Sequence, residues 1–164
     1  MPDTECGFDQ KHIFLFTLDR AARMLLEGVG DLNERELREV EEPLSAPSHI
    51  LECAVDAVHS TNKILQNEDP HHGEEAPSDL RQLYKAHTRR LLNYLSELPS
   101  SSFDTAVTPS FKLNPMMPEA TTIAECILNL SAHISMLAGS LGVTRVALGK
   151  PQLEWQQCAT FGSD

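Results

Sequence analysis

The run from Thr122 to Pro151 constrains the fold more than any other part of the chain. It opens on Thr122-Ile123-Ala124-Glu125, the spacing at which a threonine hydroxyl and a glutamate carboxylate satisfy each other's backbone N–H groups at a helix start. Cys126, Leu130, His133, Leu137, Leu141 and Leu148 then fall on one helical face. Gly149 stands where a left-handed helix-ending residue belongs, with Pro151 just beyond it. Gly139 and Gly142 inside the helix each cost about 1 kcal/mol relative to alanine, which points to close backbone packing or a bend. A long helix with one apolar stripe must bury that stripe against other elements, so the rest of the chain has to supply partners.

Three more segments have the same character. The first runs from about Lys11 to Glu27, with Phe14, Leu18, Ala21 and Leu25 on one face and Gly28 and Gly30 ending it. A short turn is expected over Asp31-Leu32-Asn33-Glu34-Arg35-Glu36-Leu37, before Pro43 and Pro47 fence off the next element. The second helix starts near Ser45 or Ser48 and reaches about Gln66, with Ile50, Ala54, Ala57, Thr61 and Ile64 as its stripe. Ser78 is the expected cap of the third, which reaches about Glu97 with Leu80, Tyr84, His87, Leu91 and Tyr94 on one side. Asn67 to Pro77 reads as a loop, and Pro99 to Pro118, with four prolines, as a long crossover. No segment alternates convincingly at strand period, and no internal repeat is present. Four amphipathic helices pack most simply as an all-α, up-and-down four-helix bundle, one domain over 1–164 with its core at about 11–151.

Composition excludes several function classes. The chain has 164 residues and a formal net charge of -11, which repels phosphate backbones and argues against nucleic-acid binding. No apolar run is as long as the ~20 residues that span a bilayer, so no membrane segment is expected. The start, Met1-Pro2-Asp3-Thr4-Glu5-Cys6, lacks a basic region followed by an apolar one, so a signal peptide is not expected. Cys6, Cys53, Cys126 and Cys158 are scattered without Cys-x-x-Cys spacing, which reads as reduced thiols in a cytoplasmic protein.

The order of these motifs resembles the DinB/YfiT-like family of metalloenzymes over about Phe14 to Pro151. The likeness rests on Asp31–Leu37 before a proline-containing link, Ser48-His49-Ile50-Leu51-Glu52-Cys53, Leu91-Leu92-Asn93-Tyr94-Leu95-Ser96-Glu97-Leu98-Pro99, and His133, Leu137, Gly139, Ser140 and Leu141 in the last helix. That resemblance implies a metal held by three histidines, one on the second helix and two on the fourth, thiol S-transferase or isomerase chemistry, and homodimers. By register Cys53 takes the second-helix position (Ala54 if the alignment slips by one), His133 matches the first fourth-helix histidine, and Leu137 replaces the second.

A catalytic zinc or nickel site needs about three protein donors, and Leu137 offers no lone pair. A third donor would have to come from Glu52, Asn129 or His59, and an amide is a poor ligand for a borderline-soft metal. No metal is therefore favoured, with His133 the single matching ligand and zinc or nickel the alternative. The expected function is that of a small-ligand-binding or interaction protein, with a central cavity lined by Cys53, Ala57, Asn129, His133 and Leu137. The alternative is a metal- or thiol-dependent transferase or hydrolase using Cys53 and His133 as catalytic groups. The bland readings are a hydrogen-bonded core histidine and an inert buried thiol. His71-His72 with Glu74-Glu75 reads as a solvated loop, and Tyr84, Tyr94 and Trp155 as packing aromatics. Met116-Met117 and Phe111 either cover a pocket mouth or pack.

Overall fold

Both halves of the capping box at Thr122 form: its hydroxyl accepts from the Glu125 N–H, and the Glu125 carboxylate accepts from the Thr122 N–H at 3.0 Å. The helix that follows, α5, spans Ile123–Ala147, and Gly149 beyond it has φ +72°, the left-handed value that glycine adopts without strain. The computed structural model describes residues 9–38, 40, 42–66 and 79–153. The other helices are α1 (Gln10–Gly30), the short α2 (Glu34–Arg38), α3 (Pro47–Gln66) and α4 (Leu80–Glu97). The expected all-α character holds.

Local chemistry explains the boundaries. Asp9 caps α1 by accepting from Lys11 N–H, and Asn33 caps α2 by accepting from Arg35 and Glu36. Pro47 is the first residue of α3, where its missing N–H costs nothing. The cap of α4 is Asp79, one residue after the serine expected there. Gly28 does not stop α1, which ends at Gly30. A Cβ at Gly28 would lie 2.5 Å from Leu141 Cδ2 and 2.9 Å from Leu153 Cδ1, so this glycine is where α1 lets α5 and the following chain approach. Gly139 and Gly142 have open space around them instead, and the close packing expected there is absent.

The long helices share one core, built from Leu18 and Leu25 of α1, Leu51 and Val58 of α3, Leu91 and Leu95 of α4, and Ile127, Leu130, Ile134 and Leu141 of α5. α1 packs mainly on α5 and also on α4, while α3 packs on α4 and α5. The consecutive long helices α1 and α3 are not a principal packing pair, which departs from a simple up-and-down order. At the end of α5 the buried Arg145 donates to the Gly28 and Pro151 carbonyls and pairs with both Asp31 oxygens. That clasp holds the end of α1 to the end of α5, and the guanidinium holds the Asp31 carboxyl below its ordinary value.

The crossover carries the one clear correction to the reading without strands. A 3-10 turn (Ser100–Asp104) leads into strand β1 (Ala106–Phe111), which pairs antiparallel with β2 (Ala120–Thr122), with an irregular register between the Ala106–Thr122 and Phe111–Ala120 partners. Pro109 lies inside β1; a two-stranded ribbon is all edge and tolerates the lost donor. Phe111 packs with Ala120, Cys126, Ile64 and Leu65, so it belongs to the core, whereas Met116 is 91% exposed.

Candidate functional site

Two contacts set how α3 and α5 face each other. Thr144 Oγ1 donates to the Ser45 carbonyl at 3.2 Å, and Cys126 lies in one cluster with Ile64 and Leu65. The helices therefore run in opposite directions, and equal rise per residue brings the His133–Leu137 turn level with the Cys53–Ala57 turn. The elements expected to meet do meet, but their side chains are not arranged for chemistry. Cys53 is half-buried with its Sγ 3.9 Å from His49 Nε2, one turn earlier on its own helix. Burial, then the charges of Asp56 and Glu52, push its thiol above the ordinary value. An activated thiolate requires the opposite shift, from a neighbouring cation or helix N-terminus.

His133 is half-buried, and its Nδ1 is a buried atom with no hydrogen-bond partner among the described residues. Burial holds the imidazole below its ordinary value. The expected hydrogen-bonded core histidine is thus a core histidine with one nitrogen unsatisfied. Leu137 packs against the hydrophobic core and Ala57 is buried. Asn129 donates to the Pro118 carbonyl at 3.1 Å, which ties the crossover to α5 and commits its amide. Glu52 is exposed and lies 3.6 Å from His49, and His59 stacks edge-on against His87 at 5.1 Å between centroids. Among the described residues no three His, Cys, Asp or Glu side chains come together in a metal-binding group. The His71–Glu75 cluster, Trp155, Cys6 and Cys158 lie outside the described residues.

A sizeable cavity lies elsewhere. It is a groove of about 860 Å³ between α1 and α4, and none of the five residues expected to line a ligand cavity contributes to it. Lys11 Nζ donates to the Ser96 and Leu98 carbonyls, both at 2.6 Å, so the start of α1 lies by the end of α4 and the helices run oppositely. Phe16 is thereby level with Leu92, and Arg23 with Lys85. The α4 wall presents Arg81, Lys85 and Arg89 at one-turn intervals. The α1 wall presents Leu15 and Phe16 at one end, then Asp19, Arg23, Leu26 and Glu27.

Comparison with family models, curated proteins and solved structures finds no match for this chain.

Polar groups in this groove are only partly satisfied. Asp19 Oδ2 lies 3.4 Å from Arg23 Nε, with both side chains more than four-fifths buried, while Asp19 Oδ1 is buried without a hydrogen bond. Burial raises the Asp19 carboxyl, and the Arg23 charge opposes that shift. Arg81 Nη2 donates to the Leu32 carbonyl at 2.5 Å, and among the described residues its buried Nε has no partner. Periodicity hid the site because these residues read as the solvated faces of two amphipathic helices. The usable signal was Arg81-x-x-x-Lys85-x-x-x-Arg89, a cationic ladder in a strongly acidic chain.

Proposed function

We propose that this chain is a metal-free four-helix bundle of the DinB/YfiT-like kind that binds a small organic molecule in the α1–α4 groove. The observation that carries the reading is the groove itself: its volume of about 860 Å³ falls in the 300–1,000 Å³ range of small-molecule sites, and it mixes apolar walls with a few polar groups. The hydrocarbon at Leu137 and the committed amide of Asn129 support the metal-free part. The raised Cys53 thiol weighs against the thiol-dependent alternative, since an unactivated thiol is a poor nucleophile. A fragment panel screened by amide chemical-shift mapping tests the site. Shifts clustered on α1 and α4 are the expected result; shifts clustered around Cys53 and His133 would return the site to the α3–α5 interface.

A second reading concerns self-association. The outward side of α5 carries Leu128 (44% exposed), Met136 (48%), Val143 (60%) and Val146 (56%), with Ala132 and Gly139 between them. No charged side chain lies on it between Leu128 and Val146, since Glu125 precedes that stretch and Arg145 is buried. Two copies of a chain with net charge -11 repel wherever charges meet, so this neutral face is the surface on which a homodimer forms at least cost.

A further inference from the structure

We propose that the occupant of the α1–α4 groove is an amphipathic anion, an acidic head group on an apolar body. The inference rests on the groove being the binding site and goes on to assign its chemistry.

Charge is the first argument. The chain holds 24 acidic against 13 basic residues, yet the groove holds four cations, Arg23, Arg81, Lys85 and Arg89, against the two carboxylates Asp19 and Glu27. A cationic cleft in an acidic surface concentrates anions where the remainder of the molecule repels them. Availability is the second. Lys85 and Arg89 are exposed, and among the described residues neither has a hydrogen bond or ion pair. Arg81 keeps a buried Nε with no partner among the described residues, a donor that an acidic group satisfies well. The carboxylate most enclosed in the groove, Asp19, is engaged by Arg23 on its own helix, which leaves the α4 ladder to the ligand.

Shape is the third argument. With Arg23 level with Lys85 and Phe16 level with Leu92, the cations run from the Arg81 end of the groove to its middle, and the apolar residues Leu15, Phe16 and Leu92 follow on toward the other end, where His12 and Ser96 lie. Head group and tail therefore have separate places along one axis. Phe16 is 53% exposed, an apolar surface left for a tail to cover.

The test titrates the full chain with four probes sharing a ten-carbon tail: decanoate, decyl phosphate, 1-decanol and decylammonium. Amide shifts and thermal midpoints are recorded. The two anions are expected to bind at least ten-fold tighter than the alcohol and the amine, with shifts centred on residues 81–92, and to weaken as salt is raised. The ratio of decanoate to decyl phosphate separates a carboxylate from a phosphate source. Lys85→Glu with Arg89→Glu is expected to lower decanoate affinity at least ten-fold and leave decanol unchanged. The milder Lys85→Gln with Arg89→Gln gives the same order should the reversal disturb folding. Equal binding of decylammonium, or unchanged decanoate binding by both double variants, overturns the anionic assignment while the groove stands as a binding site. Probes that bind only outside α1 and α4 overturn both.

Discussion

His133 shows how a single residue carries two readings until its surroundings are known. On the helical stripe a ligand and a core histidine look alike, since both are polar rings on an apolar face. In the fold its Nδ1 is buried without a partner, and burial alone lowers its proton affinity. The folded state therefore favours the neutral ring, whereas the unfolded chain takes up a proton near the ordinary value of 6.5. Stability from this group is complete above that value and is lost as pH falls through it toward the folded value. The thermal midpoint is expected to drop between pH 7.5 and 5.5, and His133→Leu to flatten that drop and raise the midpoint at pH 5.5. An unchanged pH slope in the variant assigns the loss to other groups. Cys53 follows the same logic: its identity hinted at a nucleophile, but burial, and then Asp56 and Glu52 beside it, disfavour the thiolate.

At the scale of elements, the helices were legible because caps and stripes are local. The Thr122–Glu125 box and Gly149 formed as their spacing predicts, and the turn expected over 31–37 is the short helix α2 over Glu34–Arg38. The ribbon of β1 and β2 was not legible, because six and three residues around prolines carry too few alternations to register. The glycines divide in the same way. Gly139 and Gly142 attract attention inside a helix but touch nothing, while Gly28, at what looked like a helix end, is the position of close approach. Gly28→Ala places a methyl against Leu141, itself fully buried, so the strain cannot relax into solvent. The variant is expected to lose about 1–3 kcal/mol in urea unfolding. Gly139→Ala, in open space, is expected to gain up to about 1 kcal/mol through helix propensity. A neutral Gly28→Ala would mean that α1 and α5 approach less closely than this.

For the whole molecule, α5 bears on the expectation that no segment spans a membrane. It is long and apolar enough to cross a membrane by length and composition, a test that a core helix also passes. Its buried face lies in the core and its outward side carries the exposed apolar residues on which the proposed homodimer rests. Met136→Arg, at an exposed position, is expected to convert a dimer to a monomer by light scattering at micromolar concentration, with the thermal midpoint of the monomer retained. A wild-type chain that stays monomeric at millimolar concentration sinks that reading. What the sequence determined by itself was the helical class and most helix starts and stops, because these follow from hydrogen bonds and apolar spacing within a few residues of one another. Only the tertiary structure decided which helices are neighbours, that Arg145 is buried against Asp31, and that a groove of about 860 Å³ opens between α1 and α4. Those facts depend on how helices distant in the chain meet, and the solvated faces that form the groove carry no periodic signal that one of them faces another.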